Sequence, residues 1–93
     1  MNVKLKLLDE AEEAYINGDL EKALVILDDQ RLNNNLKALF IKGEIYYKMQ
    51  RWGDALNFFL ICIEKDPSNM NTATYIEMIK NILDFRNTDL LNP

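Results

Sequence analysis

The chain has 93 residues, 48% of them apolar and 28% charged, which suits one soluble globular domain and leaves no room for a second. Three glycines and two prolines are too few for a β-sandwich or a long linker, so helix is favoured before any motif is read. Eleven basic side chains against fifteen acidic ones give a net charge of −4 with no histidine. That balance argues against a phosphate-backbone partner and removes the commonest acid-base and metal-binding side chain.

The N-terminus, MNVKLKLLDE, interrupts its apolar residues with lysines, so it contains neither a signal-peptide core nor a membrane span. Residues 3–17 carry Leu7, Ala11 and Ala14 on one helical face and Leu8, Glu12 and Tyr15 on the adjacent one. Gly18 supplies a left-handed stop and Asp19 a cap for the next helix, whose buried stripe is Leu20, Ala23, Leu24 and Leu27. The polar run Asn33, Asn34, Asn35 then separates this pair from the next segment.

The stretch from Leu36 to Pro67 reads as two further helices, broken at Gln50-Arg51 and closed by the proline. Leu39, Gly43 and Tyr46 recur at helical spacing on the first, and Ala55, Phe59, Cys62 and Ile63 on the second. Gly43 and Ala55 remove bulk where the two must meet, which permits a close antiparallel pair. Sliding the sequence by 32 residues aligns Leu7 with Leu39, Ala11 with Gly43, Tyr15 with Tyr47, Leu20 with Trp52, Ala23 with Ala55 and Leu27 with Phe59. The first unit lacks the closing proline, so its second helix or exit turn is expected to be shortened.

After Ser68-Asn69, a cap signal, Met70, Ala73, Ile76, Ile79, Ile82 and Leu83 predict a fifth helix over about 70–86. The tail 87–93 has no clear period, and Leu90 and Leu91 either fold back or fray.

Residues 36–67 resemble a tetratricopeptide repeat (TPR), a helix-turn-helix unit of about 34 residues. Gly43 and Ala55 stand where that family puts small contact residues, Leu39 where it prefers a large apolar group, Tyr46 and Phe59 where it puts aromatics, and Pro67 where it ends. Trp52 replaces its usual tyrosine. Lys42 replaces its leucine, which is tolerable if the stem lies along apolar surface and the amine reaches water. The resemblance implies an all-α, short right-handed α-solenoid of antiparallel helix pairs in a single domain, residues 1–93. Repeat 1 would span about 4–35, repeat 2 about 36–69 and a capping helix about 70–86. Small size also makes the chain similar to stand-alone bacterial proteins of this type, and with one unpaired cysteine it suggests a cytoplasmic address.

A search for chemistry returns no histidine, no glycine-rich phosphate loop and no cysteine pair. Cys62 lies on an apolar stripe and reads as a core thiol. The neighbouring carboxylates Asp28-Asp29 and Glu12-Glu13 point apart on a helix and read as solvated surface. No enzyme, cofactor, metal or membrane contact is expected.

What remains is surface. In a solenoid the first helix of each pair lines a concave face. That face would collect Leu5, Leu8, Glu12 and Tyr15 from the first helix and Lys37, Phe40, Glu44, Tyr47 and Lys48 from the third. Asn71, Thr74, Tyr75 and Met78 would join them from the fifth. The candidate partner-binding residues are Leu8, Glu12, Tyr15, Lys37, Phe40, Glu44, Tyr47, Lys48, Tyr75 and Met78. Aromatic rings flanked by charge suit a peptide or partner helix, and Glu12 and Glu44 favour one of apolar and basic character. The competing possibility is that Phe40 and Tyr47 serve only to pack neighbouring helices. One TPR subgroup grips a terminal carboxylate with basic and amide side chains. The matching places here hold Leu8, Glu12, Ile41, Asn71 and Tyr75, so that clamp is not expected. A second role, self-association as a homo-oligomer through the groove or the last helix, comes from the exposed ends of a short array.

Overall fold

The computed structural model describes residues 2–91, with side chains over 2–85. Among the described residues there are five α-helices and no strand: α1 (Val3–Ile16), α2 (Leu20–Leu27), α3 (Leu36–Lys48), α4 (Trp52–Lys65) and α5 (Met70–Leu91), with a 3₁₀ turn at Gln30–Leu32 between α2 and α3. α1 packs on α2, α3 on α4 and α4 on α5, while α1 and α2 both reach α3.

Each boundary has a local cause. Asn2, Asp19, Asn35 and Asn69 accept hydrogen bonds from the free backbone N–H groups of Lys4, Lys22, Ala38 and Thr72 at 2.9–3.2 Å. α1 ends at Gly18, whose φ is +84°. There the N–H of Asp19 donates to the carbonyl of Ala14 at 2.9 Å and that of Gly18 to Tyr15 at 3.0 Å. α3 ends in the same way with Gln50 at φ +60°, Arg51 donating to Tyr46 at 2.9 Å and Gln50 to Tyr47 at 3.0 Å. Both helices therefore close their last turn with the same pair of bonds, and α2 and α4 each begin just beyond it.

Gly18 and Gln50 are 32 positions apart, and other pairs at that offset share an environment. Ala11 and Gly43 are buried, Ala23 and Ala55 have no exposed surface, and Leu27 and Phe59 are fully enclosed. Leu7 and Leu39, Tyr15 and Tyr47, and Leu20 and Trp52 are half-buried in pairs. The expected shortening also occurs: α2 has 8 residues where α4 has 14. The 3₁₀ turn replaces the missing length and drives Leu32 into the core.

The core has two centres with α3 between them. Leu8, Ala11, Ala14, Ala23, Leu27, Leu32, Ala38, Ile41 and Ile45 form one. Ala55, Phe59 and Ile79 form the other, ringed by Phe40, Tyr46, Tyr47, Trp52 and Tyr75. Because α3 is covered on two sides, its deeply buried positions are Ala38, Ile41, Gly43 and Ile45. The single stripe of Leu39, Gly43 and Tyr46 is too narrow a reading: Leu39 and Tyr46 are half-buried. Lys42 follows the snorkelling expectation, its stem mostly covered, its amine 2.8 Å from Asp28 and 5.5 Å from the centre of the Phe58 ring. α5 extends past residue 86, where the apolar period fades, to Leu91. Asn92 and Pro93 lie outside the described residues, and the placement of the Leu90 and Leu91 side chains is likewise outside them.

Candidate functional site

Helical spacing sets the site. On α3, Phe40, Glu44 and Tyr47 follow at i, i+4 and i+7, so they lie along one face. Asn71, Thr74, Tyr75 and Met78 do the same on α5, and Glu12, Tyr15 and Ile16 on α1. These three faces meet in two adjoining depressions. The first, of about 390 Å³, lies between α3 and α5 and is lined by Phe40, Glu44, Tyr47, Asn71, Thr74, Tyr75 and Met78. The second, of about 270 Å³, lies between α1 and α3 and is lined by Glu12, Tyr15, Ile16, Lys37, Phe40, Ile41 and Glu44. Phe40 and Glu44 belong to both, so the two form one trough that crosses α3.

Aromatic packing builds the floor. Tyr75 stacks on the enclosed ring of Phe59 at 4.5 Å and makes T-shaped contacts with Phe40 at 5.8 Å and Tyr47 at 5.1 Å. Tyr47 also meets Trp52 edge-on at 5.2 Å. Phe40 and Tyr47 therefore have a packing role as well as a surface, each being half-buried.

Polar groups are placed on that floor. The Tyr75 hydroxyl donates to Glu44 Oε2 at 3.0 Å, and the Tyr47 hydroxyl lies 4.0 Å from the Met78 sulfur. Lys37 pairs with Glu12 at 2.8 Å, and the Lys48 amine sits 4.8 Å over the Tyr15 ring. Burial pushes the Glu44 carboxyl above its ordinary value; the Tyr75 hydroxyl and the Lys48 charge oppose this, and the Glu12 charge adds to it. Tyr75 is raised by burial first and then by the Glu44 charge, and Tyr15 likewise.

Of the ten residues singled out from sequence, nine surround the trough or touch those that do. Leu8 does not. It is 5% exposed and packs in the α1–α2–α3 core, so it presents no surface to a partner. Its burial comes from α1 being covered by both α2 and α3, which widens the buried arc beyond one stripe. Ile16 and Ile41 line the trough unannounced; Ile16 is one turn beyond Glu12, a spacing that would have found it.

Outside the trough, Cys62 is enclosed, and burial pushes its thiol up to about 11, partly opposed by Lys65, so it is held as the unreactive thiol. Among the described residues no group of three or more acidic or cysteine side chains is placed to hold a metal ion, and no helix is long and apolar enough to cross a membrane. A second apolar depression, of about 390 Å³, lies on the α4–α5 side among Leu60, Ile63, Ala73, Ile76, Glu77 and Lys80.

Comparison with protein-family models, curated proteins and solved structures finds no match. The trough itself therefore carries the functional reading. It combines the rings of Phe40, Tyr47, Tyr75 and Tyr15 with the carboxylates of Glu12 and Glu44 and the amine of Lys37.

Proposed function

We propose that the chain is a protein–protein interaction module, without catalysis, that holds a peptide or partner helix of apolar and basic character along the trough. In this reading the helices form a short TPR-like, right-handed solenoid of antiparallel pairs in the cytoplasm. Residues 4–35 and 36–69 are its two units, and α5 covers the open apolar edge of the second. The shared environments of positions 32 apart, down to the matching left-handed turns at Gly18 and Gln50, support two copies of one unit. Among the described residues, the observation that carries the binding role is a trough from Tyr15 to Met78 with a half-buried carboxylate, Glu44, at its centre.

Because Phe40 and Tyr47 also pack the core, truncating them would confound binding with stability. Thr74 is exposed on the wall, and arginine is a better helix former than threonine, so Thr74→Arg blocks the trough while sparing the fold. Selection of a random peptide library on the immobilised protein is expected to enrich apolar, basic sequences whose binding is lost with Thr74→Arg at a melting temperature no lower than that of the parent. Enriched peptides that bind the variant equally well would overturn the groove reading, as would a failure to enrich any.

A second reading has its own observation. Leu60 and Ile61 are 42% and 40% exposed on α4, and Leu60 borders the α4–α5 depression, which gives an apolar edge suited to a second copy of the chain. Solution mass measured across a concentration series decides it, since a monomer at every concentration removes self-association.

A further inference from the structure

We propose that the α3–α5 depression is a seat for the guanidinium group of an arginine side chain, with Glu44 as its counter-charge. This rests on the groove reading and adds to it the chemistry of the anchoring side chain.

Charge comes first. Among the described residues Glu44 has no lysine or arginine within ion-pair distance: Lys37 is paired with Glu12, and Lys48, over the Tyr15 ring, acts on Glu44 only from beyond that distance. A carboxylate half-buried among rings has lost part of its hydration, and burial outweighs the Tyr75 hydrogen bond and the Lys48 charge, so its pKa is raised. An incoming cation restores what is missing, whereas a carboxylate or phosphate would meet Glu44 head-on.

Hydrogen-bonding capacity comes second. The Tyr75 hydroxyl proton is committed to Glu44 Oε2, and the Thr74 hydroxyl proton to the carbonyl of Met70 at 2.8 Å. Glu44 Oε1 and the Thr74 oxygen are left as acceptors, the Met78 sulfur already accepts from the Tyr47 hydroxyl, and Asn71 adds an amide that both accepts and donates. A wall rich in acceptors asks for a ligand rich in donors. Guanidinium carries five N–H donors and accepts none.

The rings decide between the two basic side chains. Phe40, Tyr47 and Tyr75 give the depression π-surface on both helices. A planar, weakly hydrated guanidinium stacks on such rings while bonding a carboxylate sideways, whereas an ammonium keeps more of its water and makes fewer fixed bonds.

The test uses the full chain and a small probe, N-acetyl-arginine amide, followed by amide chemical shifts, with its neutral isostere N-acetyl-citrulline amide as the control. Saturable shifts are expected around Glu44, Tyr47, Asn71 and Tyr75, with a Kd of roughly 1–10 mM for so small a ligand. The citrulline compound should bind about tenfold more weakly or worse, and so should the arginine compound to Glu44→Gln. N-acetyl-lysine amide is expected to fall between the two. No saturable shift, shifts at other positions, or equal binding of the citrulline compound would overturn the guanidinium seat. If library peptides remain sensitive to Thr74→Arg but indifferent to arginine-to-citrulline exchange, the seat is wrong and the groove stands.

Discussion

At Gly43 the two central helices touch through a missing side chain. A Cβ built there would stand 2.8 Å from Cε1 and 2.9 Å from Cζ of Phe59. That ring cannot retreat, because it is fully enclosed and stacked on Tyr75. Gly43→Ala would gain helix propensity of up to ~1 kcal/mol but overpack the contact by more, and a net loss of about 1–2 kcal/mol is expected. Thermal unfolding should show a fall of roughly 5–15 °C, deeper still for Gly43→Ile. Thr72 gives a change of the opposite sign. It has no exposed surface and its hydroxyl has no hydrogen-bond partner among the described residues, so Thr72→Val keeps the shape and removes an unsatisfied polar group. A gain of about 1–2 kcal/mol is expected in denaturant unfolding. Gly43 was legible in the sequence because a small residue stood at helical spacing from large ones. Thr72 was not, since a threonine one turn inside a capped helix looks like surface until its neighbours are known.

At the level of elements, the sequence marked starts and stops more clearly than faces. Asp19 and Asn69 cap where expected, and Gly18 stops α1. Gln50 performs the same stop without glycine's freedom, holding φ +60° against its own Cβ. Gln50→Gly should therefore stabilise the protein by about 0.5–1 kcal/mol, whereas the same change at an ordinary helical position such as Lys48 should cost about 1 kcal/mol. Paired melting curves of the two variants check this. Faces were harder because α1 and α3 are each covered by more than one neighbour, which is why Leu8 went to the core and Leu39 only half-way. The end of α5 also lies beyond the expected residue 86. With no glycine or proline between Ser68 and Asn92, helix propagates beyond the periodic stretch at little cost per residue.

At the scale of the molecule, the Cα extents are 58 × 28 × 20 Å, an elongated shape that suits the proposed array and leaves much surface for its core. The trough crosses that long body at α3, and the sequence placed most of its lining because exposed and half-buried stripes keep their spacing even when their neighbours are unknown. It could not show that Phe40 and Tyr47 share duty between core and surface. Glu44 bears the tension between the two. Its carboxyl is raised above the ordinary 4.5, chiefly by burial, so the folded chain holds that proton more tightly than the unfolded one. The unfavourable contribution is absent below the unfolded carboxylate range, grows as pH rises towards the folded value, and is complete above it. Under the proposed function, a group that weakens the fold where it sits marks the place where a partner would be held.

The most direct measurement is therefore the melting temperature of Glu44→Gln at pH 7, taken beside its affinity for an arginine-bearing ligand. Relief of the buried charge predicts a melting temperature equal to or above that of the parent, with binding weakened by about tenfold or more. A melting temperature lowered by several degrees with binding unchanged would contradict the account, because Glu44 would then be holding the helices together rather than holding a partner.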